Sequence, residues 1–305
     1  MGRTKERAEN IPDLNLQPNG ETGSLFVAKE ALYDPRKERI EWWRKASERP
    51  EKYFGGEGID KDGNPYEYPA GTRLIIGRGK ETYQVMDSCE TPWAFATVDM
   101  VFKELGSKSG EVDILERGFG MGITARRVIQ NLVARGGSYT IIELNEQNAA
   151  YAREWKRSQE YSLTRMTHGM QDTKPNISID IIDGEAYEET ARLLEAERKF
   201  DIIISDTFPL TEDEQGINDL QDLDVLKRCL KPGGVFSFFA YYPGSAGALE
   251  LVKKQGEMIA RHFDPRGVII SQARINPPPD YKYLHTDTGD PVRILPVIVC
   301  VKPIL

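Results

Sequence analysis

From Val112 onward, short apolar runs alternate with longer stretches at helical period. The runs near 112–116, 139–143, 177–182, 201–206 and 234–240 are strand-sized, and between them the pattern predicts helices near 123–135, 146–158, 185–198, 217–230 and 244–262. Strand and helix in turn predict an α/β fold, a Rossmann-like doubly wound, mostly parallel sheet with helices on both faces. Two last apolar runs, 267–273 and 293–301, flank the turn-forming Asn276-Pro-Pro-Pro-Asp-Tyr281 and predict an antiparallel C-terminal edge.

Ahead of this core the pattern is less regular. Residues 1–24 are polar and rich in Asn, Pro, Gly and Glu, the composition of a flexible arm. Asp34 followed by Pro35 predicts a helix over 34–47, with Ile40 and Trp43 on one face. The adjacent Trp42 and Trp43 are read as docking this helix onto the main domain; the other reading is a homodimer contact through the N-terminal extension. Gly, Asp, Asn and Pro crowd 54–71, which predicts a long irregular loop, followed by a strand over 73–76 and a helix over 91–105. The expected division is an N-terminal arm and helical extension over 1–84 and a main domain over 85–305.

Charge and cysteine usage narrow the class. A net charge of −8, with no basic block, argues against a nucleic-acid partner and suits a cationic small molecule. Cys89, Cys229 and Cys300 lie far apart without a C-x-x-C pair, so no disulfide frame or metal site is expected and the compartment is read as reducing. His168, His262 and His285 show no metal-ligand spacing either. The charged N-terminus is followed by no apolar stretch and no run is long enough to cross a membrane, so the expected location is cytoplasmic.

The chemistry concentrates at Val112-Asp-Ile-Leu-Glu116-Arg-Gly118-Phe-Gly120-Met-Gly122. Strand, tight turn and helix start follow one another here, so glycine backbone and helix amides can face a nucleotide-like ligand. A dinucleotide fingerprint needs a sixth-place glycine, and that place is Ile123. The spacing from Glu116 through Gly118, Gly120 and Gly122 instead resembles motif I of the class I S-adenosylmethionine (SAM) methyltransferases.

Ligands in such a sheet sit beyond the carboxyl ends of the strands. Glu143 ends the second strand, where a carboxylate can accept both ribose hydroxyls. Asp183 and Gly184 end the third and are the expected adenine contact, with helix capping the other reading of Asp183. Lys231-Pro-Gly-Gly234 precedes the fifth as a turn. Asp206 ends the fourth, facing the place of a methyl donor, and Glu90 precedes the helix at 91, where stabilising that helix is its simpler task.

Val85-Met86 with Glu90-Thr91-Pro92, Gly118-Phe-Gly-Met121, Ile141-Ile-Glu143-x-Asn145, Asp206-Thr-Phe-Pro-Leu210 with Glu212, Leu230-Lys-Pro-Gly-Gly-Val235, and Pro277-Pro278 before Tyr281 and Tyr283 stand in order. Together they resemble the guanidinoacetate N-methyltransferases and the related arginine δ-N-methyltransferases, over about residues 74–305. The resemblance implies that Glu143 holds the ribose of SAM and that Glu90 and Asp206 grip a guanidinium. Guanidinium nitrogen has no free lone pair and a pKa above about 12, so two acids that localise its charge and take a proton make chemical sense. Where the family anchors a substrate carboxylate on backbone amides, this chain reads Ala240-Tyr241-Tyr242-Pro243, and Pro243 has no N–H. That departure raises free arginine beside guanidinoacetate, with Phe208, Tyr241 and Tyr242 as candidate substrate contacts.

Three other readings stay open. An aminopropyl transferase of polyamine synthesis uses the same fold and acids, an arginine in a protein presents the same guanidino group, and a non-catalytic SAM-fold binder could use Trp42 and Trp43 as its contact.

Overall fold

The computed structural model describes residues 35–48, 56–59, 65–68, 73–78, 81–106, 110–167, 176–210, 216–240, 246–277 and 294–304. The chain enters through α1 (Pro35–Lys45), which the Asp-Pro start predicted. Next come β1 (Ser47–Glu48), β2 (Gly56–Ile59), β3 (Pro65–Tyr68), β4 (Arg73–Arg78) and β5 (Glu81–Asp87). Strands β2 and β3 pair antiparallel, which corrects the expectation of an irregular loop over 54–71. The five residues between Ile59 and Pro65 include Asp62-Gly63, a dipeptide that favours hairpins and that composition alone does not separate from loop. Strand β5 was not expected from the sequence; it pairs antiparallel with β4.

After α2 (Thr91–Leu105) the alternation follows the predicted order: β6 (Val112–Arg117), α3 (Ile123–Leu132), β7 (Gly137–Glu143), α4 (Glu146–Thr167), β8 (Ile177–Asp183), α5 (Ala186–Glu195) and β9 (Phe200–Ser205). Then come α6 (Leu223–Cys229), β10 (Leu230–Phe238), α7 (Ala246–His262), β11 (Val268–Arg274) and β12 (Ile294–Val301). Among the described residues these strands form one seven-stranded sheet, in the order β11-β12-β10-β9-β6-β7-β8. Strand β12 inserts between β10 and β11 and runs antiparallel to both, so the antiparallel element of the C-terminal edge lies one strand in.

Alternation along the strands builds two cores. Val112 and Ile114 of β6 join Val98 and Phe102 of α2 and Val128 of α3 on one face. Leu115 joins Leu193 of α5, Leu226 of α6 and Phe263 just past α7 on the other. Glu116 and Arg117 therefore leave the end of β6 toward opposite layers. The helix expected over 217–230 is broken: Asn218–Leu220 forms a 3-10 turn before α6. Asn218 and Asp219 turn their side chains onto Thr207 instead, and such local bonds compete with a continuous helix.

Candidate active site

The switch in strand order falls beside β6, whose neighbours are β7 and β9. Register places three strand ends level there, because Arg117 pairs with Ile142 on one side and with Ser205 on the other. Gly118, Glu143 and Asp206 are thus drawn together from positions far apart in the chain. Backbone bonds fasten them: the Gly118 amide donates to the Ile142 carbonyl at 2.9 Å, and the Asp206 amide to that of Arg117 at 2.9 Å.

Gly118 lies at φ 85°, and a Cβ placed on it would stand 2.2 Å from the Asp206 carbonyl oxygen. The glycine is needed for its own protein neighbour as much as for a ligand. Gly118→Ala is expected to cost about 1–3 kcal/mol and to push the Asp206 loop aside, read as a lower melting temperature and a loss of the shift that SAM adds. An unchanged melting profile with and without SAM would contradict the close packing.

A cavity opens over these strand ends. Gly118, Gly120, Glu143, Gly184, Asp206 and Phe208 line it, joined by Asn148, Glu185, Trp43 and Arg36. Glu143 is held firmly: Oε2 accepts from the Phe119 amide at 3.0 Å and from Asn148 Nδ2 at 2.9 Å, and Oε1 accepts from the Asn145 amide at 2.9 Å. Burial raises its pKa, while the bonds from Asn145, Phe119, Asn148 and Gly120 pull against that. Glu116 is fully buried and its Oε2 has no partner; burial first, then the charges of Asp206 and Glu143, push it well above the usual carboxylate range.

Asp206 combines exposure to the cavity with a deficit of partners. The residue is half-buried, yet its Oδ2 is buried and accepts no hydrogen bond. Burial, and next the charge of Asp219, raise its pKa to about 7. An acid of this kind takes or releases a proton near neutrality.

The remaining sequence candidates separate. Phe208 lines the cavity with its ring 4.9 Å from that of Trp43. Glu90 is buried but is not among the cavity-lining residues. Its Oε1 accepts from the Asp87 amide at 3.0 Å and completes a capping box on the 3-10 turn Ser88–Glu90, which runs straight into α2. Asp183 is exposed and pairs with Arg153, and the neighbouring Gly184 and Glu185 face the cavity in its place. Gly122, at the N-cap of α3, is also outside the lining. Tyr241 and Tyr242 lie outside the described residues, as do Glu212, Pro278, Tyr281 and Tyr283.

Glu185 and Trp43 were not expected at the site from the sequence. Glu185 caps α5 by accepting from the Tyr187 and Glu188 amides, and it pairs with Arg36 of α1 at 2.8 Å. Trp43 docks α1 as expected and forms a wall of the site, its ring within 5.2 Å of Tyr83. Asn145 secures the same helix end, donating from Nδ2 to the carbonyls of Trp43 at 2.9 Å and Ala46 at 2.8 Å. Trp43→Ala, which empties a buried indole site, is expected to cost about 3–5 kcal/mol. The melting temperature should fall by roughly 6–20 °C, and a fall under about 2 °C would mean that α1 docks elsewhere.

Fit to a SAM-like ligand can be judged from the atoms left over. Asn148 Oδ1 and Asp206 Oδ2 belong to lining residues, are buried and lack donors, and a ligand carrying hydroxyl and N–H groups supplies them. Of the ionisable residues among the described lining, Glu143, Glu185 and Asp206 outnumber the base Arg36, an environment for a ligand with positive charge. No described helix is long and apolar enough to cross a membrane.

Comparison with known proteins gives distant structural likenesses and one family match. Among solved structures, the spermidine synthase of Thermotoga maritima is similar at 15% identity and a TM-score of 0.47, covering 84% of this chain and 82% of that one. A SAM-dependent methyltransferase from Agrobacterium tumefaciens is similar at 12% identity and 0.40, with 80% and 75% covered. Precorrin-6y C5,15-methyltransferase from Geobacter metallireducens GS-15 is similar at 16% identity and 0.38, with 67% and 87% covered. Likeness at this level carries nothing about substrate. No curated protein matches the sequence. The family profile described as guanidinoacetate N-methyltransferase matches residues 66–270. That match takes in more than half of the chain, which therefore belongs to the guanidinoacetate N-methyltransferase family, class I enzymes that use S-adenosylmethionine.

Proposed function

We propose that this methyltransferase acts on a guanidino nitrogen of a small molecule, free arginine or guanidinoacetate. The observation that carries the reading is Asp206: a carboxylate at the switch point, in the same cavity as Gly118 and Glu143, with a buried oxygen that has no donor and a pKa of about 7. A guanidinium offers what is missing there, positive charge and several N–H donors in one plane.

The residues divide the work. Gly118, Gly120, Glu143 and Asn148 would hold the cofactor, with Gly184 and Glu185 at its other end. When bound, S-adenosylmethionine would supply a methyl group activated by its sulfonium, with the neutral thioether as leaving group. Asp206 orients the guanidino plane so that one nitrogen faces the donor, and its carboxylate accepts the proton that this nitrogen loses. Glu90, the second acid in this reading, would reach the guanidinium only by releasing the Asp87 amide that it holds. Phe208 and Trp43 offer aromatic faces on which a planar cation stacks. Tyr241 and Tyr242 are proposed for the distal end of the substrate.

Mass spectrometry after incubation with SAM and, separately, guanidinoacetate, arginine and an arginine peptide tests this directly. Methylated arginine or methylated guanidinoacetate is the expected product. Product from the peptide alone would move the reading to a protein substrate. Turnover of putrescine with decarboxylated SAM, and of no guanidino compound with SAM, would replace it with aminopropyl transfer.

A further inference from the structure

Behind the loop that carries Asp206 lies a buried polar cluster that the steps above do not use. Ser205 ends β9, and Thr207 follows two places later. Both turn to the same carboxylate, that of Asp219 in the 3-10 turn before α6. Asp219 Oδ1 accepts from Ser205 Oγ at 2.6 Å, from Thr207 Oγ1 at 2.6 Å and from the Thr207 amide at 3.2 Å. Asn218 reinforces the clasp, donating from Nδ2 to the Thr207 carbonyl at 2.5 Å and to its hydroxyl oxygen at 2.9 Å. Tyr187 in turn donates its hydroxyl to the Asn218 carbonyl.

Burying a carboxylate this deeply is costly unless it is repeatedly hydrogen-bonded or paired. Asp219 is 2% exposed; burial raises its pKa, while the charge of Arg117 and the bonds from Ser205 and Thr207 pull it back toward the ionised form. Arg117, 0% exposed, supplies positive charge on the same side of the sheet, but its direct ion pair, at 3.0 Å, is with Asp222. Two acids thus share one base. Extended chain alternates its side chains, so holding 205 and 207 from one side turns 206 to the other.

We propose that Asp219 is a positioning residue for Asp206: it grips the chain on either side of Asp206 so that the intervening carboxylate faces the cavity, and it bears on that carboxylate electrostatically from behind. The proposal rests on the reading of Asp206 as the group that holds the guanidino nitrogen. The charged groups around Asp206 are Glu116 from β6, with Glu143 from β7 beyond it, and Asp219; Arg117 acts on Asp219 and is itself paired with Asp222. Of these, the charge of Asp219 is the one that follows burial in holding Asp206 near pH 7. Removing it should let Asp206 ionise at lower pH.

Steady-state methylation with the guanidino compound that turns over, measured from pH 5 to 9, tests both halves. Asp219→Asn is expected to move the acidic limb of kcat/KM down by about half a unit or more and to lower kcat by about tenfold, with the SAM dissociation constant within about threefold of the original. Thr207→Val removes the clasped hydroxyl and keeps the charge; it should lower kcat and leave the limb where it was. Asp219→Glu, which keeps the charge with a longer reach, should retain the limb of the parent protein. A limb unmoved in Asp219→Asn overturns the electrostatic half, and an unchanged kcat in Thr207→Val overturns the positioning half. If Asp219→Asn does not fold, the Thr207→Val result alone decides whether the clasp positions Asp206. If Asp206→Asn keeps most of its turnover, the underlying reading of Asp206 has failed. If Asp206→Asn is inactive while Asp219→Asn matches the parent in limb and kcat, only the inference has failed.

Discussion

Asp206→Asn should reduce methyl transfer by about a thousandfold or more while SAM binding stays within about threefold. Loss of a positioned proton acceptor is worth about 10²–10⁴ in rate, and loss of a charged partner for a guanidinium adds to that. Calorimetry with SAM and single-turnover methylation separate the two quantities, and turnover above about a tenth of the original would sink the role. The same substitution has a second, opposite signature. A carboxyl whose folded pKa is raised from 3.8 to about 7 binds its proton more tightly folded than unfolded. Between about pH 4 and 7 the unfolded chain has released that proton and the folded one has kept it, so this group erodes stability as pH rises and does so fully above about 7. Asparagine removes the erosion. The variant should match the parent near pH 4 and gain on it up to pH 7, by at most about 4 kcal/mol less the cost of an unpartnered amide N–H. Loss of activity together with a pH-dependent gain in melting temperature is hard to obtain from a structural residue. A variant less stable than the parent at pH 8 would mean that Asp206 has a partner in solution.

Glu143→Ala should abolish measurable SAM binding, weakening it by about a hundredfold or more. The carboxylate does two things at once. It is the acceptor proposed for the ribose hydroxyls, and it gathers the Phe119 and Asn145 amides and the Asn148 side chain around the glycine turn. Two lost charge-assisted bonds to a ligand amount to about 3–6 kcal/mol, and the amides left without an acceptor distort the turn further. Glu143→Gln keeps the shape and an acceptor oxygen, so it should bind SAM about tenfold to thirtyfold less tightly and leave kcat at saturating SAM within about threefold. That split between binding and turnover is the reverse of the one expected for Asp206. If Glu143→Gln lowered kcat as steeply as Asp206→Asn, the division between donor-holding and acceptor-holding acids would be wrong.

Much of this site could be read along the chain because its strands end in step. Gly118, Glu143, Gly184 and Asp206 each stand at or just after the end of an apolar run, and a parallel sheet brings all such ends to one rim. Spacing also separated a SAM loop from a dinucleotide loop, because Ile123 occupies the place where the latter needs glycine. The reading became less sharp where a side chain had a choice of partner. Asp183 and Glu185 both stand at the end of β8; one bonds outward to Arg153, the other turns in to Arg36, 149 positions away. For Glu90 the spacing favours stabilising a helix and the family resemblance a grip on substrate, and its carboxylate is found on the Asp87 amide.

By itself, the sequence determined the α/β alternation, the doubly wound sheet and the strand-end acids, since period and spacing act through neighbours a few places apart and need no distant partner. The tertiary structure decided that α1 walls the cavity through Trp43, that β5 carries Val85 and Met86 to the same place, and that a broken helix frees Asp219 to clasp Thr207. Those outcomes depend on burial and on charge balance among residues from separate segments. A polar side chain takes its partner from whatever the packed layers leave within about 3 Å, and packing is settled only when all the layers are in place.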